Sequence, residues 1–312
     1  MTTDMVAAEN RLLRLAQRAR SRHDYCIVTR LRLTLYTALD QSDRGVDVFL
    51  EWLGRNGTVW SNHPTRDDVM LEYGRIWNLL GTRKIEDLVD LPLATDTEFL
   101  DTLDVFSEIV TPTLFYDEHL MSLVVCRMVS LSLEHGNCDG SCFGYAWFSM
   151  LAGPQFNNYK DGYRFGLLGF DLVEKRGLTR YQARTYITFA NGVIPWAKHV
   201  ASERELIRRA FDLAYRAGDL TFAAYRGEQL VANYLIAGDS LVEVQTEAEN
   251  GLEFAKRVRF GYVIHVCGSE LGLVRTLRGL NSNFGCLDYD DYNELETERS
   301  NLGRAHAGPH CQ

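Results

Sequence analysis

Proline is scarce in this chain, at 6 of 312 residues, and no run of Pro, Ser or Gly is long enough to act as a flexible linker. One continuous architecture is therefore expected rather than separate domains on a string. Long apolar runs are missing as well. None approaches the roughly 20 residues that a membrane-spanning helix needs, and the opening MTTDMVAAENRLLRLAQRARSR lacks the apolar core of a signal peptide. A cytoplasmic protein without a membrane partner is expected. Its seven cysteines, an odd number without a secretory signal, fit reduced thiols rather than a disulfide framework.

Excess positive charge is also absent. A formal charge of -9 argues against a nucleic-acid partner, because neutralising phosphates takes a concentrated basic surface. The local exceptions are Arg11, Arg14, Arg18, Arg20, Arg22, Arg30 and Arg32 near the start and an acidic run from Asp288 to Glu298 near the end. Both read as solvated helix faces.

Catalytic signatures are lacking too. There is no Gly-x-x-x-x-Gly-Lys followed by Ser or Thr, no His-Glu-x-x-His, no Gly-x-Ser-x-Gly and no kinase set. The chain is read as a non-enzyme with no cofactor and no metal. Gly162, Gly166 and Gly169 fall at helical spacing and suit helix packing rather than a phosphate.

What the sequence does have is a repeat. Gly136, Gly177 and Gly218 lie 41 residues apart, and the next step falls on Arg259. Upstream, Met128, Gly169, Ala210 and Gly251 share a register, as do Val129, Phe170, Phe211 and Leu252. Downstream, Phe148, Phe189, Leu230 and Leu271 do the same. Apolar positions recur at i, i+3, i+4 and i+7, so each period is a helix, a glycine turn and a second helix. Asp219, and Asp139 or Ser141, are placed to cap the following helices. The fold class is all-α, an α-solenoid of stacked antiparallel helix pairs, TPR-like with a period of about 41 residues. Helices are predicted near 5-21, 24-39, 44-55, 65-80, 97-110, 117-135, 140-152, 159-176, 179-191, 202-217, 220-237, 241-258 and 262-279. The register is clearest over 117-279, residues 1-299 form a single repeat domain, and 300-312 read as an irregular tail.

Two segments carry possible chemistry. In His135-Gly136-Asn137-Cys138-Asp139-Gly140-Ser141-Cys142 a His and two Cys fall within eight residues, but a fourth metal ligand and a partner pair are missing. Cys142 aligns with Ala183 and Ala224, which favours a small buried residue. The second segment, Ile194-Pro195-Trp196-Ala197-Lys198-His199, is an aromatic and basic loop. Trp196, Lys198 and His199 form either a partner surface or a staple that pins the loop to the stack.

Several segments resemble a known family: Ser132-Leu133-Glu134-His135-Gly136-Asn137, Ala146-Trp147, Gly162-Tyr163-Arg164-Phe165-Gly166, Ala217-Gly218-Asp219-Leu220 and Glu249-Asn250-Gly251-Leu252-Glu253-Phe254-Ala255. The chain resembles the TPR-like helical middle region of large bacterial multidomain signalling proteins. In these a protein-kinase-like domain and an AAA-type, STAND-like ATPase precede the helical region, and a GAF domain and sensor histidine kinase follow it. The resemblance implies an interaction or regulatory module between ATPase and histidine-kinase parts. It further implies a truncated or split gene product, with protein partners drawn from signalling modules or from self-association through an exposed apolar end. The competing reading is a small-molecule or peptide sensor binding near Tyr186, Tyr225, Tyr234 and His265.

Overall fold

The computed structural model describes residues 3–281, 285–290 and 292–305, and among them the protein is helical, with two isolated bridges and no strand. The chain divides into two compact units, one ending at Tyr181 and the other beginning at Gln182. One continuous repeat domain over 1-299 was the expectation from the even register.

The first unit holds α1 (Thr3–Arg18), α2 (Arg22–Ala38), α3 (Ser42–Arg55), α4 (Arg66–Leu80), α5 (Thr97–Leu114), α6 (Glu118–His135), α7 (Asp139–Phe156) and α8 (Tyr159–Arg176), with a 3-10 turn at Ile85–Asp90. Its centre is α5, which packs on α2, α3, α6 and α7. Leu103, Phe106, Ile109 and Val110 of α5 are buried to 2% exposure or less. Two helices run past prolines where the pattern predicts a stop. Pro112 sits in the last turn of α5, and Thr113 Oγ1 donates to Ile109 O and Val110 O there (3.1 and 2.8 Å). Pro154 likewise lies in the last turn of α7, which closes on Asn157 in a left-handed conformation.

A charged hub inside this unit left no trace in the sequence pattern. Asp104 of α5, almost buried, meets Arg30 Nη1 at 3.1 Å and Arg180 Nη1 at 2.7 Å, and it accepts the Tyr181 hydroxyl at 3.0 Å. A carboxylate removed from water needs such partners, since an unpaired buried charge is costly.

The second unit holds α9 (Gln182–Gly192), α10 (Arg204–Ala217), α11 (Leu220–Ala237), α12 (Leu241–Val258), α13 (Gly261–Leu277) and α14 (Glu294–Ala305), with 3-10 turns at Ile194–Trp196 and Val200–Glu203. From α9 to α13 each helix packs on the next, and α11 also packs on α9 and α13. Small residues set the close approaches here, because a Cβ on Gly251 of α12 would stand 2.8 Å from Gly227 Cα of α11.

Two expectations concern the end of this unit. An exposed apolar end was expected, and Leu273, Leu277 and Leu280 are 42 to 57% exposed; on another face of α13, a Cβ on Gly272 would meet Leu287 O at 2.6 Å and Tyr289 OH donates to Gly268 O at 3.2 Å. The irregular tail was expected from residue 300, but α14 carries the helix to Ala305, started by Asn293 Oδ1 accepting the Glu296 N–H at 2.9 Å. The rest of that tail, 306–312, lies outside the described residues.

Candidate interaction surface

The three glycines of the repeat do two different jobs. Gly177 and Gly218 are left-handed helix ends in open space, and Arg259 takes the same conformation at φ 59°. Gly136 has φ 98° and ψ 177°, and a Cβ there would stand 2.3 Å from Pro92 O. The chain from Leu88 to Ala94 is clamped against this turn. Asn137 N–H donates to Pro92 O (2.9 Å), Ala94 N–H to Asn137 O (2.9 Å), and Asn137 Nδ2 to Leu88 O (2.7 Å). The fully buried Tyr145 hydroxyl completes the set by donating to Asn137 Oδ1 at 3.1 Å. The run was singled out for its His and Cys, but Asn137 is its working residue. An uncharged amide with two donors and an acceptor suits a buried turn that must satisfy strange backbone.

His135, Cys138 and Cys142 do not come together. His135 is exposed and stacks on Phe99, with centroids 4.9 Å apart. Cys138 and Cys142 are buried, and burial pushes both thiols above the ordinary range. Asp139 accepts the Arg180 N–H at 2.7 Å rather than capping α7, while Ser141 Oγ accepts the Cys138 N–H at 3.0 Å. Cys286, Asp288 and Glu294 do place three potential ligand atoms within 4.8 Å. Those atoms already fold the turn, because Leu287 N–H donates to Glu294 Oε2 at 3.0 Å and Glu294 N–H to Asp288 Oδ1 at 2.7 Å.

The four residues of the sensor reading have separate settings. Tyr186 is fully buried and accepts from Gln182 Nε2 at 2.7 Å. Tyr225 joins Phe222 and Phe260 in edge contacts, and Tyr234 accepts from Arg208 Nη2 at 2.7 Å. His265 lines an open groove with Arg275 and Tyr289. The repeat positions Phe170 and Phe211 are half-buried rather than core, whereas Leu252 is buried. Phe211 packs at the rim under Arg226, whose guanidinium lies 5.1 Å from its ring centre.

The segment between α9 and α10 is the feature that stands out. Trp196 is 81% exposed, and Lys198 and His199 beside it are exposed too. The loop itself is held firmly. Val193 and Ile194 are buried beneath it, and Ala197 and Lys198 N–H both donate to Ile194 O at 2.9 Å. His199 Nδ1 accepts the Ala201 N–H at 3.3 Å, so its ring orients the backbone. Below, Asn233 of α11, 2% exposed, donates from Nδ2 to Val200 O at 2.7 Å and to Glu203 Oε1. Arg204 Nε donates to Asn233 Oδ1 at 2.5 Å, and the same guanidinium grips both oxygens of Asp239 while lying 4.0 Å over the Tyr234 ring. The Arg204 hydrogen bond holds Asp239 below the usual carboxylate range, and burial raises Glu203 above it. Sequence reasoning singled out Trp196, Lys198 and His199 as a partner surface or a staple, and it missed the Glu203, Arg204, Asn233 and Asp239 clamp, whose members are spread over three segments.

Over 86% of its length the chain is 21% identical to hybrid signal transduction histidine kinase G of Dictyostelium discoideum. It spans 8% of the length of that relative. No protein-family profile matches the chain. No solved structure matches it either. The similarity associates the chain with a signalling protein, and the bacterial origin implied by the earlier resemblance draws nothing from a Dictyostelium relative. No helix among the described residues is long and apolar enough to cross a membrane.

Proposed function

We propose that the chain is a non-catalytic helical-repeat module of a cytoplasmic signal-transduction protein, and that it engages a protein partner through Trp196, Lys198 and His199. The observation that carries this reading is a tryptophan 81% exposed on a loop whose following turn, Val200–Glu203, is tied to α11 through Asn233. A packing residue gains by leaving water, and Trp196 has not left it. An exposed aromatic on an anchored turn, with a lysine beside it, is typical of an interface anchor, because little backbone ordering entropy remains to be lost on binding. The distant similarity to a histidine kinase supports the signalling context. In the α-solenoid reading of the stacked pairs, the α9 to α13 packing order is the support, since each helix there rests on its neighbours in sequence.

The test is a photo-crosslinking amino acid placed at Trp196 in cells, with Val242, 57% exposed, as the control position. Capture of a kinase, ATPase or sensor module from the first position and not the second is expected. Equal labelling at both, or ATP hydrolysis by the purified chain, would overturn the reading. With the partner in hand, Trp196→Ala should weaken binding by about 2 kcal/mol or more, roughly 30-fold. The melting temperature should hardly move, as exposed substitutions cost within about 0.5 kcal/mol.

A further inference from the structure

The seam where α11 and α13 pack is narrow. A Cβ on Gly227 of α11 would stand 3.2 Å from Cys267 Sγ of α13 and 2.9 Å from Gly251 Cα of α12, so three helices meet with almost no free space. Beside this seam lie two carboxyl groups. Glu228 follows Gly227 directly, and Glu270 lies one turn beyond Cys267 on α13. Each has one oxygen buried without a hydrogen bond, and Ala224, Val231, Cys267 and Val274 on the turns around them are core residues at 1% exposure or less.

The charged groups of the surrounding elements are committed elsewhere. Arg184 of α9 pairs with Asp219, Arg204 of α10 with Asp239, and Arg226 of α11 with Glu247 of α12. Arg208 of α10 donates to Tyr234, while Arg209 lies over Tyr186, Arg257 over Phe254 and Arg275 over Tyr289. Lys256 and His265 line the open groove beside Tyr289, and Glu203 of the 3-10 turn accepts from Asn233. What the two carboxyls act on is each other and the Cys267 thiol. An ionised carboxylate needs water or a cation, and the seam supplies neither. Burial raises both side chains above the carboxylate range, and the nearness of Glu228 adds to the effect at Glu270. Parting the helices returns each to its ordinary value of 4.5 and so releases two protons, which shifts the balance toward the parted form as pH rises.

We infer that Glu228 and Glu270 form a proton-dependent latch: as neutral groups they let α13 close on α11, and on losing their protons they release it. The device is local to the second unit. It makes no use of Trp196 and stands apart from the proposed function.

Cys267 reports the opening, because its thiol is buried in the seam. Alkylation of the full native chain is followed by mass spectrometry from pH 6.5 to pH 8. The rate at Cys267 is divided by that at Cys126, a buried thiol of the first unit, to remove the pH dependence of the reaction itself. Release of two protons raises the opening constant by up to about 100-fold per pH unit, so the ratio should climb at least about 30-fold over this range. Glu270→Gln, neutral at every pH, should leave a rise of about 10-fold per pH unit or less, and Glu228→Gln added to it should leave none. If the double variant melts early, the two single variants carry the test, each flattening the slope by half. A wild-type ratio that stays level, or one that climbs equally in the Gln variants, would overturn the latch. So would hydrogen exchange in which the amides of α9 lose protection in step with those of α13, because the whole unit would then be opening rather than this seam.

Discussion

At the level of single residues, equal spacing concealed unequal demands. Gly136, Gly177 and Gly218 look equivalent at their 41-residue steps, and only geometry separates a turn in open space from one pressed against a carbonyl. Gly218→Ala meets nothing within 4 Å and should cost about 1 kcal/mol, the penalty of a left-handed L-residue. Gly136→Ala should cost about 3 kcal/mol or more, because Pro92 O must move and with it the hydrogen bonds of Asn137. Urea unfolding of the two variants would check this, and equal midpoints would mean that the clamp is slack. Arg259 gives the converse case. It is exposed at φ 59°, so Arg259→Gly should stabilise by about 0.5–1 kcal/mol in the same measurement, net of the extra freedom glycine brings to the unfolded chain.

Helices were the most legible level. The stretches 159-176, 220-237 and 241-258 were readable to the residue from apolar spacing and capping, since each is an amphipathic run closed by Gly or by Arg259. What the pattern could not report was polar groups placed inside an apolar stripe. Glu228 of α11 falls between Ala224 and Val231, and Glu270 of α13 between Cys267 and Val274, all four buried in the core of the second unit. One oxygen of each carboxyl is buried without a hydrogen bond. Burial raises Glu228 to about 8; burial, and then the neighbouring Glu228, raise Glu270 to about 9. Both side chains are protonated in the folded protein at neutral pH and ionised in the unfolded chain. Unfolding then releases protons, so their contribution is most favourable below the ordinary value of 4.5 and is lost progressively as pH rises to about 9. Glu270→Gln keeps a neutral group there at every pH. Urea unfolding should show the variant gaining on the wild type by roughly 1–3 kcal/mol between pH 5 and pH 9. Parallel curves across that range would show that water reaches the pair.

Across the whole molecule, the all-helical class was legible because it depends on a summed pattern, whereas the candidate surface depends on which side chains stay in water. The cysteines offer a way to examine both units at once. Cys26, Cys126, Cys138 and Cys142 of the first unit and Cys267 of the second are free and buried, while Cys286 is partly exposed. Burial pushes the Cys26 thiol up to about 12 and raises those of Cys126, Cys138, Cys142 and Cys267 as well. A thiol must be both ionised and accessible to react, so the buried five wait for an opening of the unit that holds them. Pulsed alkylation of the native chain at pH 8, read by mass spectrometry, should modify Cys286 at least about 100-fold faster than any of the five. In rising urea, Cys267 should become reactive on the unfolding curve of the second unit, and Cys126, Cys138 and Cys142 on that of the first. If Cys138 or Cys142 instead reacted as fast as Cys286 in the native protein, the turn after His135 would hold a reactive thiolate, and the non-catalytic reading of the chain would fall with it.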